Sequence, residues 1–394
     1  MMQTSETCLL RQLTLQNLLS FGPATPPLAL ESLNLLIGPN GSGKSNLLEA
    51  VALLRATAGD LRSVVSRGGG VREWIWKGDP QGAAAVEALV AYPGHPQPLR
   101  HRLAFGAEQH RLRLHDEQIE SADPDPGPGE PAFYYRYQQG QPVLTVAGGE
   151  TRRLAGESVE TDASILAQRR DPEGYPEITY LATVYERIRI YREWAFGRNT
   201  IFREPQKADL RNDRLAEDFS NLGLFLNRLR RNPKAKAAIL TALRDLYDGI
   251  TDFDVSIEGG TVQVFLTEDD FVIPATRLSD GTLRYLCLLA ILCDPEPPPL
   301  IGIEEPELGL HPDILPKVAD LLIAAATRTQ LIVTTHSDLL VDAMSERPSA
   351  IIVCEKHDGQ TEMQRLDPGA LAVWLTKYRL GQLWTRGQLG GTRW

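Results

Sequence analysis

The sequence predicts an α/β fold in which buried strands run into helix N-termini, with an inserted antiparallel β region and a helical subdomain. Three observations carry this. The apolar run Leu35-Leu36-Ile37 enters the glycine-rich turn Gly38-Pro39-Asn40-Gly41-Ser42-Gly43-Lys44-Ser45 and leaves it in a helical pattern, Asn46 to Leu54. A second apolar strand, Leu300 to Ile303, ends in the adjacent carboxylates Glu304 and Glu305. A third, Gln330 to Val333, ends in Thr334-Thr335-His336-Ser337.

Composition bounds the class. A chain of 394 residues with 42% hydrophobic and 23% charged residues is globular and long enough for two or three domains. The longest apolar run, Tyr285 to Cys293, is too short to span a bilayer, and Met1 to Arg11 lacks a signal-peptide pattern, so no membrane partner is expected. Four scattered cysteines, Cys8, Cys287, Cys293 and Cys354, form no C-x-x-C pair. They argue against zinc and a disulfide framework and for a reducing cytoplasm. The net charge of −10 argues against general coating of nucleic acid while leaving room for a local basic stripe.

In chain order, Leu9, Leu13 and Leu15 alternate with polar residues as in a half-buried edge strand, with Leu10 and Arg11 breaking the pattern. Leu28–Leu30 and Leu33–Ile37 read as short strands, and Phe21 as a core plug at a turn. A helix ends near Ala58, and Ser66-Arg67-Gly68-Gly69-Gly70 breaks the chain. Ala83–Tyr92, Leu99–Phe105, Gln109–Leu114 and Ala132–Tyr137 suit an antiparallel meander, interrupted by a Pro/Gly-rich mobile loop from Ala122 to Pro131. Ser164–Gln168 ends a strand-like run, and Pro176–Ala195 and Leu215–Tyr247 have helical spacing. Arginine is dense here: Arg169, Arg170, Arg187, Arg189, Arg192, Arg198, Arg203, Arg211, Arg214, Arg228, Arg230 and Arg231. Ion pairing on solvated helix faces is the plain expectation, and contact with phosphate backbones or an acidic partner the alternative. Val255–Ile257, Val262–Leu266 and Phe271–Pro274 read as strands, followed by Leu278-Ser279-Asp280-Gly281-Thr282 at the mouth of an apolar helix, Tyr285–Cys293. Val353 to Asp358 opens a terminal hairpin, and the tail from Trp374 to Trp384 is amphipathic, suited to a partner contact or to packing back on the fold.

The chemistry follows from residue types. Gly38, Gly41 and Gly43 let successive N–H groups converge on an anion, and the helix that follows adds its positive dipole end. Lys44 is placed to reach β- and γ-phosphates, and the Ser45 hydroxyl to join Mg²⁺. Ser279 and Gly281 at a helix N-terminus read, on their own, as an ordinary N-cap or as a second anion site. Glu304 is assigned to Mg²⁺ through water, Glu305 to orienting or deprotonating the attacking water, and His336 to sensing the γ-phosphate.

These motifs resemble those of an ABC-type ATPase of the RecF/SMC group, in the branch called AAA family or RecF-like predicted ATPases. Gly38–Ser45 resembles the Walker A loop, Leu278–Thr282 the signature, Ile301–Glu305 Walker B, Glu307–His311 the D-loop and His336 the switch histidine. The resemblance implies a P-loop NTPase fold of ABC/SMC-head type that binds ATP and Mg²⁺. Asn46 completes the nucleotide contacts, and Gln168 is the choice for the Q-loop glutamine, also near the metal, with Gln206 its rival. It implies a lobe over residues 1–60, an inserted β region over 61–160, an arginine-rich helical subdomain over 161–250 and a second lobe over 251–394. It also implies a head-to-tail homodimer in which ATP on one Walker A loop is capped by the other copy's signature, with slow hydrolysis releasing it. Asp280 stands where transporter ATPases carry a second glycine, and Glu304 where Asp is usual. The first departure fits the RecF-like branch.

The implied function is an ATP-gated switch for a separately encoded effector, as in anti-phage and toxin-type systems. The alternative is a DNA-repair or DNA-end-binding clamp. A fused TOPRIM nuclease is not expected, because the tail after Asp358 is short for that domain and holds no D-x-D.

Overall fold

The computed structural model describes residues 7–123, 131–138, 140–154, 159–194, 197, 200–201 and 203–391. The loop expected to be mobile lies largely outside the described residues. The chain divides into two compact units, both discontinuous in sequence. Unit 1 comprises Met1–Ile188, Ile352–Leu366 and Leu389–Trp394, and unit 2 comprises Arg189–Ile351 and Asp367–Gln388.

Unit 1 begins with β1 (Leu10–Gln16), β2 (Leu28–Ala29), β3 (Leu33–Ile37), α1 (Lys44–Thr57), α2 (Leu61–Arg67) and α3 (Val71–Trp74). It continues with β4 (Ala84–Val90), β5 (Leu99–Glu108), β6 (Arg111–Ser121), β7 (Phe133–Gln138), β8 (Gln141–Thr145), β9 (Thr151–Arg153), α4 (Ile165–Gln168) and α5 (Pro176–Glu186). An antiparallel sheet runs in the order β2-β1-β4-β5-β6-β7-β8-β9. The meander is therefore present, two strands longer than the sequence pattern suggests, and continuous with β1. β1 is not an edge: β2 pairs with one side of it and β4 with the other. The break in alternation at Leu10 and Arg11 is a register shift against β4 between Leu10 and Gln12, which lets Leu9 and Leu10 both be buried. Phe21 is a core residue at 2% exposure.

Ser164–Gln168 forms α4, one helical turn, where a strand end was expected. Local capping decides it. The Ser164 hydroxyl accepts from Leu166 N–H (3.1 Å) and donates to the buried Glu117 carboxylate, which also accepts from Ile165 N–H (2.9 Å). Glu117 in turn faces His101 Nε2 at 3.4 Å, and His101 Nδ1 faces the Tyr185 hydroxyl at 3.3 Å. This buried polar chain ties β5, β6, α4 and α5 together.

Unit 2 contains β10 (Arg189–Tyr191), β11 (Gln206–Lys207), α6 (Leu222–Arg230), α7 (Pro233–Leu246), β12 (Ile250–Glu258), β13 (Thr261–Glu268) and β14 (Phe271–Pro274). Then come α8 (Asp280–Leu292), β15 (Leu300–Glu304), α9 (Leu315–Ala325), β16 (Gln330–Thr334) and α10 (Asp338–Ala343). The hairpin β17 (Ile351–His357) and β18 (Gln360–Arg365) returns to unit 1, where β17 lies beside β3, and α11 (Pro368–Leu375) and α12 (Leu380–Thr385) complete unit 2.

In unit 2, β10, β15 and β16 are parallel neighbours, with Ile190 opposite Gly302 and Gly302 opposite Ile332. Their unbroken apolar runs suit strands covered on both faces. The helical reading of Pro176–Ala195 fails after Glu186, where Ile188, Ile190 and Tyr191 enter the core and β10 pairs with β15. Sheet pairing outweighs local periodicity there. The helical stretch read over Leu215–Tyr247 is two helices, because the Asn232 side chain caps Lys234 and Ala235 N–H ahead of Pro233. α8 starts five residues before the apolar run, at the Ser279 cap, and is buried from Leu283 to Leu292. The tail splits its role: Leu380, Leu383 and Trp384 of α12 are buried, while Trp374 on α11 is 47% exposed.

Candidate active site

The phosphate-loop half lies in unit 1. β3, fully buried, delivers the chain to a loop in which Gly38, Gly41 and Gly43 have φ of 149°, 80° and 97°. Gly43 is the N-cap of α1 in the left-handed conformation; no side chain caps this helix and its first turn carries no acid. Its leading amides and dipole therefore face outward without a resident carboxylate. Lys44 is 5% exposed, and its Nζ donates to Gly38 O (2.8 Å) and Pro39 O (3.0 Å), folding the ammonium over the loop's own carbonyls. Ser42 Oγ is buried with no hydrogen-bond partner among the described residues. A phosphate oxygen satisfies such a hydroxyl. Asn40, Gly41 and Ser45 are exposed.

Two residues outside the motif brace this loop. Thr361, 1% exposed on β18, donates to Ser42 O (3.0 Å) and is also hydrogen-bonded to Ser20 Oγ (2.6 Å), which accepts from Asn46 Nδ2 (2.7 Å). Asn46 is thus occupied in holding the turn. Neither Ser20 nor Thr361 carries a local motif, so the sequence offered no signal for them. Gly43 packs directly on this brace, and a Cβ there would collide with the Thr361 hydroxyl. Gly43→Ala is therefore expected to cost roughly 1–3 kcal/mol from the left-handed backbone alone. Urea denaturation would measure this loss, and nucleotide titration should show binding lost with it.

Unit 2 brings Glu304, Glu305 and His336 together. Glu304 ends β15 opposite Thr334, and its carbonyl accepts from Trp194 Nε1 (2.7 Å). Glu305 has φ of 46°, a left-handed conformation unusual for a residue with a side chain. It is held there because its N–H donates to Thr334 O (3.0 Å) and its carbonyl accepts from Arg284 Nη2 (3.3 Å). The two adjacent carboxylates thus differ in backbone, Glu304 being the last strand residue and Glu305 lying in the left-handed turn that follows. Glu305 Oε1 lies 3.5 Å from His336 Nε2. Glu307 fixes the histidine from behind: its Oε1 accepts from His336 N–H (2.7 Å) and the Thr335 hydroxyl (2.7 Å).

Arg284 sits at the centre of this arrangement, 6% exposed, with its guanidinium 4.7 Å from the Trp194 ring. Burial lowers its pKa to about 10, against the opposing pull of Glu307 and Glu305. Arg284 and Trp194 were not singled out from the sequence. Arg284 lies two residues past the signature, and its place in a run that becomes a buried helix was the available hint.

Ser279 is the N-cap of α8: its Oγ accepts from Thr282 N–H (3.0 Å), and both Ser279 and Asp280 are exposed. A Cβ on Gly281 would lie 3.0 Å from Gly309 O, so the signature helix rests on the Glu307–His311 segment through a residue without a side chain. Arg203 Nη2 pairs with Asp280 Oδ1.

The two glutamine candidates are both engaged. Gln168 ends α4, where its Oε1 accepts from Glu160 N–H (2.8 Å) and its Nε2 donates to Ala163 O (2.7 Å). Gln206 is buried, accepting from Gly223 N–H (2.7 Å) and donating to Phe219 O (3.1 Å). Within the arginine-rich stretch, Arg170 pairs with Glu186, Arg211 with Asp213, Arg228 with Asp294 and Arg230 with Asp254. Among the described residues, no group of three or more His, Cys, Asp or Glu forms a metal cluster. Among the described residues no helix is long and apolar enough to cross a membrane.

Comparison with known proteins agrees on the fold. The chain is similar to the Smc head bound to the C-winged helix domain of ScpA, with a TM-score of 0.60 and 16% identity over 92% of this chain and 99% of that one. It is similar to the Smc head with an extended coiled coil, bound to the C-terminal domain of ScpA from Pyrococcus furiosus, with a TM-score of 0.59 and 14% identity over 94% and 99% of the two chains. A Pyrococcus yayanosii Smc head with a coiled coil and joint gives a TM-score of 0.55 and 11% identity over 94% and 99%. At these identities the likeness establishes a P-loop NTPase fold of ABC/SMC-head type. No curated protein matches the sequence. A family model described as "AAA domain, putative AbiEii toxin, Type IV TA system" matches residues 33–342, more than half of the chain. The chain belongs to that family of AAA/SMC-like ATPases of the RecF-like group.

Proposed function

We propose that this protein is an ATP-hydrolysing switch that closes head-to-tail on ATP and governs a separately encoded effector in a toxin–antitoxin or anti-phage system. The observation that carries it is the glycine loop at the uncapped start of α1, with Lys44 folded over its carbonyls and a buried, unpartnered Ser42 hydroxyl. That is a receptor for a polyanion, and the family description supports reading it in a toxin-type system. Bound Mg²⁺ supplies charge neutralisation between phosphates. Ser45 and Glu304 would hold it, both being the oxygen donors such a cation prefers. Lys44 exchanges loop carbonyls for phosphate oxygens. Glu305 takes a proton from the attacking water, and His336, oriented by Glu307, donates to the γ-phosphate. Gln168 is assigned to the water and metal side of this site, which requires its amide to leave the Glu160 backbone. Ser279 and Gly281 of a second copy cap the triphosphate, so ATP favours the closed state by binding it better than the open one.

The test is sedimentation of the full chain with ATP and Mg²⁺. A dimer is expected with both, a monomer with ATP and EDTA, and a monomer when Ser279→Arg places a long cation in the cap. Failure of ATP to shift the sedimentation coefficient would refute the head-to-tail reading. The alternative, a DNA-end clamp, is favoured by the arginine content of residues 169–231. The ion pairs described above weaken it, since paired guanidiniums are less available to phosphates. Titration with linear duplex DNA separates the two. The switch predicts weak binding, whereas ATP-dependent binding with a steep salt slope would favour the clamp.

A further inference from the structure

The signature of this chain carries an acid where a phosphate is proposed to dock. Asp280 occupies the first position of α8, beside the Ser279 cap, and its side chain is 53% exposed. A carboxylate there benefits from the helix dipole in isolation, yet it repels the γ-phosphate that the same helix N-terminus is meant to receive. The structure contains a compensating group. Arg203 comes from the arginine-rich stretch far away in sequence, and its side chain is only 14% exposed. Its Nη2 pairs with Asp280 Oδ1. Its Nη1 donates to Leu278 O (2.6 Å) and Thr276 O (3.2 Å), and its Nε to Gly197 O (2.9 Å). Four acceptors on one rigid planar fork fix both the carbonyls that precede the cap and the acid that follows it.

We infer that Arg203 is the positioning residue of the signature: it neutralises Asp280 and sets the Thr276–Ser279 backbone so that the α8 N-terminus accepts a second copy's triphosphate. This rests on the head-to-tail reading above and adds to it a division of labour. The phosphate is met by Ser279 and the leading α8 amides, while Arg203 acts through them without touching it. Lysine cannot replace it, because a single ammonium does not span four acceptors held in one plane.

The experiment measures ATP-dependent dimerisation of the full chain by sedimentation in a Glu305→Gln background. Binding of a fluorescent ATP analogue to monomer at high dilution is measured alongside. Arg203→Ala and Arg203→Lys should each weaken the dimer at least about tenfold, as expected for losing a charged hydrogen bond. Analogue binding to the monomer should stay within twofold. Adding Asp280→Asn to Arg203→Ala should restore part of the loss, since the uncompensated acid is then gone while the Thr276 and Leu278 carbonyls stay unheld; an arginine that did not neutralise Asp280 would not be rescued at all. Asp280→Asn alone, at an exposed position that spares folding, should tighten the dimer by leaving Arg203 with surplus charge. Unchanged dimerisation in Arg203→Ala, or no rescue in the double variant, overturns the inference. A readout that needs no dimer is amide hydrogen exchange over residues 276–282 of the monomer. It should accelerate at least tenfold in Arg203→Ala, and unchanged exchange overturns the positioning role. If Ser279→Arg dimerises normally, the head-to-tail reading fails, while the exchange result still decides whether Arg203 sets the loop.

Discussion

Glu305→Gln is expected to bind ATP, accumulate as a closed dimer and lose turnover by a factor of about 10²–10⁴, the usual contribution of a positioned general base. The substitution keeps the shape of the side chain and removes only its ability to take a proton. The backbone that aims it is independent of that change, since the left-handed turn at Glu305 is held by Thr334 O and Arg284. Folding stability should therefore be unaltered. Phosphate release under steady state and size-exclusion chromatography with ATP would report the two effects together. Turnover at the parental rate would move the base elsewhere. The proximity of His336 Nε2 to Glu305 Oε1, 3.5 Å, gives a second arm. His336→Ala should lower turnover as well, without matching the dimer accumulation of Glu305→Gln, because it also removes the proposed γ-phosphate contact.

Lys44→Ala should weaken nucleotide binding by at least about a hundredfold, following the cost of removing one partner of a desolvated charge pair. The geometry of the side chain suits the proposed role. Its ammonium is buried and held by two loop carbonyls, so it is desolvated in advance and has only to exchange acceptors when a phosphate arrives. The same contacts mean that alanine leaves Gly38 O and Pro39 O without that donor. A modest stability loss of about 1 kcal/mol accompanies the binding loss. Isothermal titration with ATP and Mg²⁺, paired with urea denaturation, separates the two effects. A variant that binds ATP normally would remove the loop from the site.

The site was legible where chemistry is local. Gly38–Ser45, Leu278–Thr282, Leu300–Glu305 and Gln330–Ser337 each place a reactive group at the end of an apolar strand or the start of a helix. The structure has strands and helices at those positions. What escaped was long-range. Thr361, Ser20, Trp194, Arg203 and Arg284 act on atoms tens to hundreds of residues away, and none sits in a recognisable spacing. The errors of secondary structure have the same origin. Ile188–Tyr191 has helical periodicity but becomes β10 because β15 offers a parallel partner. Ser164–Gln168 resembles a strand end but becomes a turn of helix because Glu117, on another strand, caps it. β1 was read as an edge because Leu28–Leu30, though read as a strand, carries nothing in its pattern that names β1 as its partner.

The brace beneath the phosphate loop also bears on how this protein is made. Thr361 contacts Ser42 across 319 residues and Ser20 across 341. The glycine loop must therefore wait, without this brace, until the ribosome has emitted the β17–β18 hairpin. Nascent chains stalled short of that hairpin should be blind to ATP. High contact order of this kind also slows folding and lengthens exposure of the waiting apolar surfaces. Translation speed between the phosphate loop and that hairpin thus becomes a determinant of how much of the chain folds with its loop supported.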